Sequence, residues 1–294
     1  MEDKENLENN LVSNDDASET IPTPSRNAGS TISPQAEEES CSTCGNDESV
    51  SVSFVYALGR IDARFPSLGV EKEFAQATGR AETAGLTDNQ VFYNILVQKQ
   101  NIYLVRKLCW VFSIEALDTY ILQPRYQADL NMLVEAIRPT PRSTDIDVVI
   151  GLRGPIAPSN MCNGLMLPIV GFDHIYSFDI DSIIKSIPRP EEVTEEQFSP
   201  VAEELFMRIM QIADNAGSID EHRALNYLAV RYPAIYAHSM DAYSKNSSLI
   251  SVSVRDSRLT GARKIVDVIF IYKNRQTDVS EKFFVRVDVT EEFP

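Results

Sequence analysis

An α+β fold in two lobes is what this sequence predicts: helices packed on a mixed or antiparallel sheet, a C-terminal antiparallel meander, and a disordered N-terminal tail. Three observations carry that expectation. Residues 1–50 hold twelve acids against Lys4 and Arg26 and contain no aromatic residue. Such a segment buries too little apolar surface to offset the entropy of ordering, so it is expected to be disordered. Beyond it, helix-capping signatures run into apolar stripes of 3.6-residue period. Finally, three runs of strict alternation close the chain, with a short polar connection between the last two, as antiparallel neighbours require.

Taken in order, pattern begins at Val52, where Phe54, Val55, Tyr56 and Leu58 read as a strand. A helix is expected over Val70 to Thr78. Thr87-Asp88-Asn89-Gln90 fits the S/T-x-x-E/Q capping box, in which the hydroxyl and the fourth side chain satisfy backbone amides, and it leads into Val91, Phe92, Ile95 and Leu96. Strands follow at Cys109 to Ile114 and Thr119 to Leu122, then a helix from Ala128 to Ile137 that stops before Pro139. Asp147 to Leu152 and Ile169 to Phe178 are further strands. Thr194-Glu195-Glu196-Gln197 opens an amphipathic helix through Phe198, Val201, Leu205, Phe206 and Ile209, and Ser218-Ile219-Asp220-Glu221 opens another towards Tyr232. Pro233 should kink or stop that helix before a last helical segment to about Lys245. The meander comprises Ile250 to Val254, Val266 to Tyr272 and Phe283 to Val289. The proline- and methionine-rich stretch Pro155 to Pro168 is the best internal boundary. It gives a tail over 1–50, a first lobe over 51–158 and a C-terminal lobe over 159–294.

Charge narrows the partners. The chain carries −16 at pH 7, mostly from the tail. It has no clustered Lys and Arg for phosphate backbones or anionic lipid, so neither nucleic acid nor membrane is an expected partner. The start of the chain lacks the basic and apolar run of a signal peptide, and a cytoplasmic location is expected. In a reducing compartment Cys41, Cys44, Cys109 and Cys162 are expected to be thiols.

Each chemical motif has a plain structural reading beside it. Cys41-Ser42-Thr43-Cys44 has the spacing of a zinc or redox site, but it has no second pair and sits in an acidic tail; a linker with exposed thiols is the simpler reading, a shared metal site the other. Cys109, Cys162 and His222 are weak metal candidates on unconnected segments. Asp145-Ile146-Asp147 and Asp179-Ile180-Asp181 could hold magnesium, yet the second also reads as a helix cap. No phosphate loop, dinucleotide fingerprint, zinc-protease motif or nucleophile elbow occurs, so no cofactor and no catalytic residue is expected.

Several blocks carry a family resemblance: Tyr56-Ala57-Leu58-Gly59-Arg60-Ile61 with Arg64-Phe65-Pro66-Ser67-Leu68 and Glu71 to Ala77; Arg153-Gly154-Pro155-Ile156-Ala157-Pro158 to Met161-Cys162-Asn163-Gly164-Leu165-Met166; Asp220-Glu221-His222-Arg223-Ala224-Leu225-Asn226-Tyr227-Leu228; Asn274 to Asp278; and Arg286 to Thr290. From about Phe54 to Phe293 the chain resembles the C-terminal domain of the cyanobactin maturation protease PatG. In that family the domain hangs from proteins that cut and macrocyclise ribosomally made precursor peptides. The subtilisin-like domain that carries that chemistry has no counterpart here, so the resemblance implies the pathway and not the proteolysis. It implies a free-standing accessory module, non-catalytic, that binds a precursor peptide or a maturation enzyme, with self-association as a further expectation. The alternative is a metal- or thiol-dependent enzyme of the same pathway using Cys162 and His222. Chemical type and placement single out Arg153, Met161, Cys162, Asn163, His222, Arg223 and Asn226 as candidate exposed interaction residues.

Overall fold

The computed structural model describes residues 53–294 apart from 80, 82–83, 188–192, 213 and 260. The tail and its two cysteines lie outside the described residues. Eight strands and eight α-helices follow one another as β1 (Phe54–Arg64), α1 (Leu68–Thr78), α2 (Asp88–Leu96), α3 (Ile102–Lys107), β2 (Cys109–Ile114), β3 (Leu117–Gln123), α4 (Gln127–Ala136), β4 (Asp145–Ile156), β5 (Pro168–Asp179), α5 (Ile180–Ser186), α6 (Glu195–Met210), α7 (Asp220–Arg231), α8 (Ala234–Ser244), β6 (Ser247–Asp256), β7 (Ile265–Asn274) and β8 (Ser280–Asp288). The fold is α+β, as the alternation of patterns predicts.

The first five strands close into a barrel in the order β1-β2-β3-β5-β4, and β6-β7-β8 form a separate antiparallel sheet. β1 does double duty. Its first half pairs with β4, from Phe54 opposite Leu152 to Gly59 opposite Asp147, and its second half pairs with β2, from Arg60 opposite Ser113 to Arg64 opposite Cys109. The ring is completed by the parallel pairing of β3 with β5, Ile121 opposite Ile169.

Period-two geometry sends alternate residues of these strands to different cores. Val55, Ala57, Trp110, Phe112 and Val149 join the side chains of α1 to α4, whereas Tyr56, Leu58, Val148 and Ile150 join those of α5 to α8 and the meander. A strand buried on both faces reads as a continuous apolar run, which is why Phe54 to Leu58 shows little polar alternation. Pro155 to Pro168 is the connection of the β4–β5 hairpin, whose strands pair along most of their length, and the two cores share strands from both sides of it.

Local signals account for several helix starts. Thr87 accepts from the Gln90 amide at 3.4 Å while Gln90 accepts from the Thr87 amide at 3.0 Å, and Gln197 accepts from the Thr194 amide at 3.3 Å. The third box does not form: Ile219 takes the N-cap position of α7 without a side-chain cap. The Tyr120 hydroxyl donates to the Ala216 carbonyl at 2.7 Å, two residues before Ser218. Just before it, Gly217 adopts φ +67°, and its carbonyl accepts from the Tyr56 amide at 2.8 Å. A Cβ there would lie 2.4 Å from the Tyr56 carbonyl oxygen, so only glycine permits this approach to β1. Among the described residues no helix is long and apolar enough to cross a membrane.

Candidate functional site

An open groove lies against β2 and β3. It measures about 470 Å³ and is lined by the start of β2, the end of β3, the β3–α4 junction and the β4–β5 loop. Its floor is positioned by short-range bonds. Trp110 donates its indole N–H to the Val105 carbonyl at 3.0 Å, fixing the ring beside α3. Asp129 accepts from the amides of Arg125 at 2.7 Å and Tyr126 at 2.8 Å, satisfying the orphan donors at the start of α4. Arg125 donates to the Gly171 carbonyl at 2.7 Å and pairs with Asp173 at 2.8 Å. The exposed Arg106 guanidinium bonds to the neutral Gln127 side chain. The groove thus offers a cation beside an amide, next to the apolar surface of Leu130 and Trp110.

Its remaining wall is the β4–β5 loop. Ala157 donates to the Leu167 carbonyl at 2.8 Å, closing the loop at its base. Cys162, Asn163 and Gly164 all have left-handed backbones, with φ of 50°, 57° and 86°. Two consecutive non-glycine residues in that region are unusual, and they persist only where surrounding structure over-determines them. The restraint is covalent: Cys162 is joined by a disulfide to Cys109 at the start of β2, with Cα atoms 5.4 Å apart. Met161, Leu165 and Leu167 pack on Val111, Ile121 and Ala157 around the bridge. The expectation of thiols at Cys109 and Cys162 is therefore corrected. The compartment argument said nothing of geometry, and the fold brings two residues 53 apart in sequence within bridging distance.

The structure separates the candidate residues into two sets. Met161 and Cys162 line the groove, Asn163 is exposed beside them, and Arg153 is exposed on β4. Arg223 and Asn226 are buried, not exposed. Arg223, 2% exposed, donates to the carbonyls of Val289 at 2.9 Å, Glu292 at 3.2 Å and Glu291, pairs with Asp220 at 3.1 Å, and has its guanidinium 5.1 Å from the Phe54 ring centre. Asn226 donates to the Tyr56 carbonyl and to Asn215, and accepts from Asn215. Both hold α7 against β1 and the chain end. His222 is half-buried; burial holds its imidazole below the usual histidine range, against the pull of Glu221 and Asp214, and its Nδ1 has no hydrogen-bond partner.

With Cys109 and Cys162 bonded to each other, neither is a thiolate ligand or nucleophile beside His222. Among the described residues no group of three or more His, Cys, Asp or Glu could hold a metal ion. The Asp145 and Asp147 carboxylates are each engaged within the protein. Asp145 pairs with Arg138 at 2.8 Å, and Asp147 accepts from the Ile61 amide at 2.8 Å and Ser177 at 2.5 Å. Burial pushes the Asp147 carboxyl up to about 6 against those hydrogen bonds. Arg106, Arg125 and Gln127 were missed by sequence reasoning. The available signal was Pro124 among polar residues at a strand-to-helix junction, where function-bearing loops concentrate.

A closed five-stranded barrel ordered β1-β2-β3-β5-β4, with β3 and β5 parallel and a helix between β3 and β4, is the arrangement of oligonucleotide- and oligosaccharide-binding barrels, here carrying a helical insertion and a C-terminal meander. The chain belongs to the PatG domain family, whose model matches residues 54–255. It is similar to a solved structure described as the PatG domain of unknown function, with a TM-score of 0.66 and 17% identity over 82% of this chain and 95% of that one. No curated protein matches.

Proposed function

We propose that this domain is a non-catalytic accessory module of ribosomal-peptide maturation, and that it holds a precursor peptide segment in the groove between β2, β3 and the β4–β5 loop. The observation that carries this reading is the position of the groove. In barrels of this topology ligands lie across the β2–β3 face between the β1–β2 and β4–β5 connections, and a groove of about 470 Å³ occupies that place here. The comparison is one of fold and says where, not what.

Chemistry supplies the ligand class. A folded part carrying 31 acids against 25 bases repels a nucleic-acid backbone. An Arg106–Gln127 pair beside apolar surface suits a peptide that offers a carboxylate or backbone carbonyl and one apolar side chain. Family membership supports the pathway, since the name-giving protein matures cyanobactin precursors.

The test is a titration of the full-length chain with fluorescein-labelled precursor peptide at low salt, with the neighbouring maturation enzymes as a second set of ligands. Saturable binding that Arg106→Glu weakens at least about tenfold, a loss of about 1.4 kcal/mol, is expected. Failure of every peptide and enzyme to bind, or binding indifferent to Arg106→Glu, would sink the reading.

A further inference from the structure

The C-terminal sheet ends in an open edge. Among the described residues β8 pairs with β7 alone, in an unbroken antiparallel register from Ser280 opposite Lys273 to Asp288 opposite Ile265. Val279 accepts from the Asn274 amide and Val289 donates to the Lys264 carbonyl, so it is the odd-numbered residues of β8 that bond to β7. The even-numbered ones, Ser280, Lys282, Phe284, Arg286 and Asp288, turn their backbone N–H and C=O groups outward. Proteins guard such an edge with proline, bulges or charge. β8 has no proline and no register shift, whereas β6 at the other edge is interrupted between Leu249 and Ser251. Charge is the guard that remains.

The sign of that charge selects the occupant. Phe283, Val285 and Val287 pack into the core, which leaves Lys282, Phe284 and Arg286 on the outer face. Phe284 is 53% exposed and lies opposite Ile269 on β7, with the Arg286 guanidinium 5.2 Å from its ring centre. Arg286 and Arg255 pair with the same Asp267 carboxylate, at 3.2 and 3.7 Å, so two cations share one anion. Lys282 is exposed and forms no ion pair among the described residues. Of the neighbouring acids, Asp288 is engaged by Arg263 and Thr290, and Glu281 belongs to the other face of the strand. The edge is thus an apolar centre between uncompensated positive charges. A second copy pairing antiparallel through it about Phe284 would set Lys282 opposite Arg286 twice, like charge against like, whereas an acidic strand meets its complement.

We propose that the β8 edge docks an extended acidic segment of a partner protein, which adds to the meander as a fourth, antiparallel strand. Main-chain bonds to Lys282, Phe284 and Arg286 supply affinity, and alternate side chains supply selectivity. Read along the incoming strand, the matching pattern is Glu-x-Val-x-Glu: the acids face Arg286 and Lys282, and the apolar residue covers Phe284 and Ile269. None of these residues lines the groove beside β2 and β3, so this surface is separate from it.

The full-length chain is titrated at low salt with the fluorescein-labelled peptide Thr-Glu-Thr-Val-Thr-Glu-Thr. Saturable binding is expected, weakened at least about tenfold by Lys282→Glu and by N-methylation of the central valine, which removes an N–H aimed at the edge. Lys282→Glu alters an exposed side chain only, and Arg106→Glu in the groove should leave the binding unchanged. The peptide Thr-Glu-Thr-Val-Thr-Lys-Thr places its lysine opposite residue 282 in the antiparallel register, so it should bind the Lys282→Glu chain at least about tenfold tighter than the parent chain. No saturation up to about 1 mM peptide, or equal binding of the N-methylated peptide, overturns the proposal. Loss through Arg106→Glu with Lys282→Glu silent overturns it too and moves the peptide to the groove, so the two surfaces fail separately. Concentration-dependent dimers in light scattering that Phe284→Asp abolishes would assign the edge to a second copy and likewise overturn it.

Discussion

The β4–β5 loop and the face of α7 that meets β1 are built from similar residue types and do opposite things. Met161 and Cys162 line a groove and Asn163 stands exposed beside them, held by one covalent tie. Arg223 and Asn226 are sealed inside and bonded to carbonyls from segments far away in sequence: Asn226 to the β1 carbonyl of Tyr56, Arg223 through its terminal nitrogens to Val289, Glu291 and Glu292, with Nε left without a partner. A polar side chain near a helix start is thus no guide to function until its partners are known. Buried polar groups are bonded because the alternative is costly, and that cost makes them structural.

The contrast can be broken at four points. Arg223→Ala should have the largest effect, about 3–5 kcal/mol of unfolding free energy, since it leaves the carbonyls of Val289, Glu291 and Glu292 without their donor. Urea denaturation measures it; a loss below about 1 kcal/mol would place Arg223 with the surface residues. Opening the bridge by Cys109→Ser/Cys162→Ser should cost about 2–4 kcal/mol, from the loop closed across 53 residues, with raised amide exchange confined to the β4–β5 loop. Exchange spread evenly over the barrel would contradict the view of the loop as a separately tethered wall.

Asp147 supplies a pH probe of the buried side. Its folded carboxyl titrates near 6, above the ordinary carboxylate value, so between about pH 4 and 6 the folded state binds more protons than the unfolded one. Stability must therefore fall as pH rises through that window, by about 2–3 kcal/mol in total. Asp147→Asn should flatten the slope, and an unchanged profile would remove Asp147 as its origin. The smallest effect is expected at Asn163→Ala, about 1 kcal/mol from the left-handed backbone alone, with Asn163→Gly neutral.

Legibility in the sequence followed the range of the interactions. The Thr87 box, the α6 stripe and the meander are local, and each was visible as period and punctuation. Helix α3 was invisible, being six residues long with no side-chain cap. Barrel closure was hidden because β3 meets β5 in parallel across an intervening helix and strand, and no local pattern encodes that. For the groove, Met161 and Cys162 were found through a loop signature, but Arg106 and Arg125 come together only through α3 and the β3–α4 junction. The bridge needed three dimensions too.

Closure of the ring also sets the order of events during synthesis. Phe54 to Gly59 find their partners only in Leu152 to Asp147, nearly a hundred residues downstream. At about 5–20 residues per second a ribosome leaves that apolar strand waiting some 5–20 seconds for its mate. The nascent chain therefore passes through an interval in which a sticky segment has emerged without its neighbour, and folding of this domain is timed by its fourth strand rather than its first.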